Sequence, residues 1–230
     1  MNLLHLPRFQ RWVRRHQLCR VEGVEDRFAL TFDDGPSLTN TPIMMDTLAR
    51  HAAHATFFVL SHHVRRHPAI VRRLVDEGHE VGMHGHHHLP PALLPRPLLR
   101  HHFRRSEAAI VDAAGVPPRF YRAPFGLLTP GQARLVRSWG YQPVLGDVYP
   151  EDAARPGVEC IAARALARLT PGSILILHDS SVFGDVGRQQ TIAAVKVILS
   201  AMAARGIRAV TLRELTAAKE PGGRDAETAG

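Results

Sequence analysis

The sequence predicts an α/β protein in which about seven parallel strands form a barrel. Three observations point to it. Between residues 27 and 215 short apolar runs alternate with stretches of helical periodicity, the rhythm of parallel strands joined by crossover helices. Seven strand segments and six helical ones can be marked out, close to the number a barrel uses. Polar residues that a core would not choose recur at or just after the C-terminal ends of the strands, where barrel enzymes build their sites.

The first strand, 28–32, is an apolar-rich run that ends in Asp33, Asp34 and the turn dipeptide Gly35-Pro36. A helix over 42–50 leads to a second strand at 55–60. Ile70, Leu74 and Val75 give one apolar face to a helix over 69–77, stopped by Gly78 before a third strand at 79–82. A long helix over 96–114, stopped by Gly115, precedes a fourth strand at 120–122. A helix over 131–139 and Gly140 lead into a fifth strand at 142–145. Ile161, Ala165, Leu166 and Leu169 face one way on a helix over 158–169, ahead of a sixth strand at 173–177. The last helix, 191–204, ends near Gly206 before a seventh strand at 209–212.

One catalytic domain is expected over 27–216, flanked by a basic N-terminal extension over 1–26 and a disordered tail over 217–230 that is poor in large apolar residues. A chain of 230 residues buries roughly 70% of its unfolded surface, so its core needs no disulfide or structural metal. Cys19 and Cys160 fit no ligand spacing and read as free thiols. The best apolar run, 172–177, stops at His178 and Asp179, which excludes a bilayer span. Leu3, Leu4, Leu6, Phe9, Trp12 and Val13 can line one face of a basic helix; packing or disorder is expected there rather than contact with an anionic membrane. The absence of a secretory signal leads to an expectation of cytoplasmic residence, with export by another route left open. The 29 basic against 21 acidic residues leave a charge of +8, yet no nucleic-acid-binding signature accompanies it and no nucleic-acid partner is expected.

Five strand ends converge on one rim: Asp33 and Asp34, His84 and His88, Arg122, Asp147 and Asp152, and His178 with Asp179. Adjacent carboxylates on an extended strand point different ways, so Asp33 and Asp34 can divide metal binding from proton transfer, although a helix cap is the bland alternative. His84 and His88 have the spacing of two zinc ligands within His84-Gly85-His86-His87-His88, but no Glu lies between them to act as a base. Four His among five residues leave the choice of ligands open, and a merely His-rich surface is the competing account. His178 and Asp179 place a titratable pair at the edge of the core.

Together these motifs resemble the polysaccharide deacetylase family, carbohydrate esterase family 4, over about residues 27–215. The resemblance rests on TFDDGP at 31–36, His84 to His88 for the family's His-[Ser/Thr]-x-x-His, Arg122-Ala123-Pro124-Phe125-Gly126 for its Arg-x-Pro-Tyr/Phe-Gly, Asp152 for its fourth motif, and Ile176-Leu177-His178 for its Leu-x-His. It implies a distorted (β/α) barrel and a divalent metal, usually Zn2+ with Co2+, Ni2+ or Mn2+ as alternatives, on Asp34, His84 and His88. It further implies Asp33 as base, His178 as acid, Arg122 and Asp152 as their partners, and an N-acetylated carbohydrate as substrate. Substrate contacts would come from Pro124, from Phe125, whose backbone N–H meets the oxyanion, and from Ile176, which lines the acetyl pocket. This sequence departs from the pattern at Gly85, where Ser or Thr is usual, and at Ala153, where Trp often follows the Asp. The first puts loop rigidity in question and the second the identity of the sugar. Competing readings are an O-acetyl esterase or non-sugar amidase on the same site, a non-catalytic carbohydrate-binding derivative, and a basic His-rich protein that holds nucleic acid or metal.

Overall fold

The computed structural model describes residues 15–217, so the apolar face proposed over Leu3 to Val13 and the tail beyond 217 lie outside the described residues. Seven strands make one parallel sheet: β1 (Arg27–Asp33), β2 (Thr56–Val59), β3 (Glu80–Met83), β4 (Phe120–Tyr121), β5 (Gln142–Pro143), β6 (Ile174–His178) and β7 (Arg208–Val210). Their order is β5-β4-β3-β2-β1-β6, with β7 also on β1. One edge of β1 pairs with β6, while the other is shared by β7 at Arg27 to Ala29 and β2 at Thr31 to Asp33. Helices α1 (Asn40–Arg50), α2 (Ser61–Arg66), α3 (Pro68–Asp76), α4 (Arg96–Ala114), α5 (Pro130–Ser138), α6 (Val158–Leu166), α7 (Gln189–Ala203) and α8 (Leu212–Ala217) accompany them.

Side-chain alternation sorts each strand into two cores. Phe28, Leu30 and Phe32 of β1 share the larger core with Phe57, Val81, Leu175 and Leu177 and the buried faces of the helices. Ala29 and Ile174 instead meet Phe58, Phe120, Val144 and Val210 inside the curled sheet. Two residues further along, the interior-facing series continues to Thr31 and Ile176, and then to Asp33 and His178, which are register partners. The interior is therefore apolar where the strands begin and polar where they end. That gradient places the site.

The gap between β5 and β6 is bridged rather than open. Val148 pairs with Leu175, Leu18 pairs with Val144, and Arg20 pairs with Ser173. Residues 18–21, which belong to the segment read from sequence as an extension over 1–26, thus stitch β5 to the start of β6, and Val21 is buried in the interior core. This explains the distortion of the barrel: short strands leave a seam that irregular chain fills.

Most element bounds agree with the sequence reading to within a few residues. Pro stands in the first turn of α3, α4 and α5, and Gly115 ends α4 at φ 75. The seventh strand stops at Val210, short of the expected 212, because Thr211 and Glu214 form a capping box that starts α8. Helix α2 was not anticipated, since its six residues SHHVRR carry no apolar period. Among the described residues no helix is long and apolar enough to cross a membrane.

Candidate active site

Asp34, His84 and His88 are brought together by two segments of one rim, the turn after β1 and the loop after β3. The chain leaves β1 at Asp33 and enters the left-handed region at Asp34, φ 73, so the two carboxylates diverge through a turn rather than through strand alternation as expected. Asp34 Oδ1 lies 3.5 Å from Nε2 of His84 and 3.5 Å from Nε2 of His88. Among the described residues this is the only group of three with ligand atoms within 4.8 Å of one another. A tetrahedral ion with bonds of about 2.1 Å holds its ligands about 3.4 Å apart, so the spacing fits a divalent ion. The chemistry fits as well. Asp34 Oδ1 is buried without a hydrogen-bond partner, and His84 Nδ1–H donates to the Arg122 carbonyl at 2.8 Å, which leaves its Nε2 lone pair for a metal. Burial, with His84 nearby, holds His88 down to about 4, so its ring is neutral and able to ligate.

Gly85, where the family pattern has Ser or Thr, sits at φ 103, a conformation that side-chain-bearing residues seldom adopt. Its loop is braced from α2 instead: Ser61 N–H donates to the Gly85 carbonyl at 2.9 Å, and His62 Nδ1–H donates to the His86 carbonyl at 2.7 Å. A second bracing holds the Asp34 turn. Thr41 Oγ1 accepts from Ser37 N–H and donates to Asp179, whose oxygens sit 2.6 Å from where a Cβ on Gly35 would be. Burial raises Asp179 to about 7.

Asp33 and Arg122 form a buried pair. Arg122 Nη1 donates to Asp33 Oδ1 at 2.6 Å and to Thr31 Oγ1 at 2.8 Å, and its guanidinium lies 4.1 Å from the centre of the Phe58 ring. Burial works to raise the Asp33 carboxyl, but Arg122, His84 and His178 together bring it below its ordinary value. On the neighbouring strand, His178 Nδ1–H donates to Asp152 Oδ1 at 2.9 Å, and the His178 backbone N–H donates to Asp152 Oδ2 at 2.9 Å. Burial would lower His178; the charge and hydrogen bond of fully buried Asp152 override it and lift the imidazole to about 9.

The other expected residues fall around these pairs. Phe125 stands at φ 59, 60% exposed, with its ring edge-on to His88 at 4.5 Å, and Pro124 beside it is buried in the same turn. Ile176 is buried in a small cluster with Leu145 and Cys19, against which Tyr149 packs. Asp147 is not at the site: it accepts from Ile174 N–H at 2.9 Å, at the start of β6 rather than its end, because β5 is only two residues long and the chain folds back beside β6. Sequence reasoning missed Thr191, which donates to Asp152 Oδ2 at 3.0 Å; Tyr149, 6.1 Å from the His178 ring; and Gln17, which donates to the Gly126 carbonyl at 3.3 Å. The motif flanks carry a signal for Tyr149 alone, as an aromatic three residues before Asp152.

The family model described as polysaccharide deacetylase matches residues 20–144. The chain is 34% identical over 203 residues to a peptidoglycan-N-acetylglucosamine deacetylase of Bacillus cereus, covering 85% of this chain and 90% of that protein. It is 35% identical over 194 residues to a chitooligosaccharide deacetylase of Bradyrhizobium sp., covering 81% of this chain and 89% of that one. A crystal structure of a peptidoglycan N-acetylglucosamine deacetylase superposes with a TM-score of 0.82 at 28% identity, covering 89% of this chain and 94% of the other. The chain belongs to the polysaccharide deacetylase family.

Proposed function

We propose that this protein hydrolyses the N-acetyl amide of an amino-sugar polymer or oligosaccharide, with a divalent ion held by Asp34, His84 and His88. The observation that carries this reading is the division of charge on one rim: a carboxylate tied to buried Arg122 and an imidazolium tied to buried Asp152 stand on neighbouring register positions. Two such groups, pushed in opposite directions by their surroundings, are a base and an acid. A bound divalent ion, zinc by its oxygen and nitrogen donors, supplies acidified water and a polarised carbonyl.

Asp33 takes a proton from the attacking water. Arg122 keeps the carboxylate ionised and aimed, since Nη1 holds Oδ1 and leaves the other oxygen to act. As the tetrahedral carbon forms, the Phe125 backbone N–H donates to the developing negative oxygen. The C–N bond breaks when His178 gives its Nε2 proton to the leaving nitrogen, because an unprotonated amine leaves poorly. Asp152 holds the imidazolium through Nδ1 and so keeps Nε2 directed at the scissile bond. Ile176 receives the acetyl methyl at the edge of its small cluster. The products are acetate and a free amine.

The test is acetate release from N-acetylglucosamine oligomers and O-acetylated sugars, using metal-stripped protein with and without zinc or cobalt, and Asp33→Asn as control. Metal-dependent release from the amides that disappears in the variant supports the reading. Preference for the O-acetyl substrates would replace the amidase with an esterase, and turnover retained in Asp33→Asn would remove Asp33 from the role of base.

A further inference from the structure

A group of histidines lies beside the metal-ligand loop and takes no part in the chemistry above. His62 belongs to α2, His86 and His87 occupy the loop between His84 and His88, and His102 lies on α4. Ring centroids are 4.2 Å apart for His86 and His87 and 4.9 Å for His62 and His87, against 5.1 Å between His84 and His88, while His62 and His86 stand 6.3 Å apart. His86 and His102 stand 6.1 Å apart. The exposed His87 lies within electrostatic reach of His62, His86 and His102, which makes it the hub.

Hydrogen bonds orient two of these rings. His62 Nδ1–H is committed to the His86 carbonyl at 2.7 Å, and His86 Nδ1 meets Ser61 Oγ at 2.7 Å, which in turn meets Ser106 Oγ of α4 at 3.1 Å. Each ring keeps Nε2 for another partner. A fixed Nδ1 with a spare Nε2 is how proteins present histidine to metals, as His84 does at the first site. We infer that His62, His86 and His87, with His102 beside them, form a second metal site for a divalent transition ion that favours neutral imidazole, such as Zn2+ or Cu2+.

The donors are nitrogens, which disfavours hard ions such as Mg2+ and Ca2+ that seek oxygen, while the nearby charges of Arg66 and Arg105 oppose every cation alike. Burial holds His62 down to about 4, so its ring is uncharged at neutral pH. The three donor atoms are not converged as those of Asp34, His84 and His88 are. His62 and His86 stand 6.3 Å apart, and the exposed His87, 4.9 Å from one ring and 4.2 Å from the other, changes rotamer between them at little cost for a side chain on the surface. An ion bound here clamps α2 to the loop that carries the ligand histidines His84 and His88, adding to the hydrogen bonds that already brace it.

Equilibrium dialysis of metal-stripped protein against excess zinc, followed by elemental analysis, tests the assignment without reference to activity. Wild-type protein is expected to hold two equivalents, and His87→Gln, His62→Gln and Asp34→Ala one each. Copper added to Asp34→Ala protein is expected to give an electron paramagnetic resonance signal split by several nitrogens, lost in Asp34→Ala/His87→Gln. One equivalent in the wild type, two in His87→Gln, or none in Asp34→Ala would each overturn the site. His87 is exposed, so its variant folds and carries the test alone should His62→Gln disturb α2.

Discussion

Replacing Asp152 with Asn removes one negative charge from a fully buried position while keeping an atom in the place of each oxygen. In the wild type His178 is held at about 9 against an ordinary 6.5, although burial alone would push it the other way. Loss of the Asp152 charge leaves burial opposed only by Asp34 and Asp33, so the imidazole falls back toward 6.5, a drop of up to about 2.5 pH units. The full drop is roughly 3.4 kcal/mol of preference for the protonated ring. At pH 8 it takes the charged fraction from about nine-tenths to about one-thirtieth, so kcat/KM declines by up to about 30-fold from protonation alone. A second cost is geometric. The oxygens accept from His178 Nδ1–H on one side and from His178 N–H and Thr191 Oγ1 on the other, and Asn sets an N–H donor against one of these donors. Facing donors cost a further ~1–3 kcal/mol of stability. Two measurements check this: the pH profile of kcat/KM, and a nuclear magnetic resonance titration of the His178 ring in metal-free protein. A bound divalent ion lowers the limb in both proteins, so the difference between them is the readout. The sign for stability follows from the same values. The His178 pKa is raised on folding, so the contribution of the pair is full below about 6.5 and is lost as the pH climbs through about 9. Thermal stability of the wild type should fall across that window and that of Asp152→Asn should not. An alkaline limb that stays in place in Asp152→Asn would refute the dyad.

Asp33→Asn is expected to retain zinc, measured by elemental analysis, while kcat falls by about 10²–10⁴ as a lost general base requires. Chelation of the wild-type protein should lower its melting temperature by about 5–11 °C, since an ion at 100 times its Kd adds about 2.7 kcal/mol and each kcal/mol moves a domain of this size by roughly 2–4 °C. His84→Ala or His88→Ala should lose most of that response in differential scanning calorimetry. Gly35→Ala sets a Cβ 2.6 Å from both Asp179 oxygens and should cost about 1–3 kcal/mol in a denaturant titration. Asp179→Ala in the same chain should recover part of that, and strictly additive losses would show that the two residues do not meet.

Much of the fold was legible because the strands of a parallel sheet, buried on both faces, read as unbroken apolar runs, and because Gly78, Gly115 and Gly140 mark the ends of helices. The site was legible where chemistry demands unusual residues at strand ends, as at Asp33, His84 and His178. What sequence reading could not supply was anything set by packing across the chain. Thr191 lies 39 residues from Asp152, and neither its type nor its place on α7 announces a hydrogen bond to a carboxylate. Residues 18–21 read as part of a basic extension because their pairing with Val144 and Ser173 spans more than a hundred positions. Asp147 read as a site residue because distance along the chain after β5 does not reveal that the backbone turns back toward the start of β6.

Among the described residues, the buried side-chain atoms without a hydrogen-bond partner belong to Gln17, Asp34, His63, His88, Arg122 and Asp179. All of them gather at one place. Asp34 and His88 face each other, His63 donates to the Asp34 carbonyl, Asp179 packs under Gly35, Arg122 holds Asp33, and Gln17 holds the Gly126 carbonyl behind Phe125. Each unpaired buried group costs about 1–3 kcal/mol, so chance would scatter them and stability alone would remove them. Toward the other end of the strands the interior is apolar around Ala29, Ile174 and Leu215, and its buried Thr56, Ser173 and Thr211 side chains are hydrogen-bonded. Unmet hydrogen bonding gathered around the C-terminal rim fits a rim shaped for a partner outside the chain. For Asp34 Oδ1, 3.5 Å from two imidazole nitrogens, a cation is the partner that fits, and the burial and the unpaired oxygen support the metal proposed above independently of any relative.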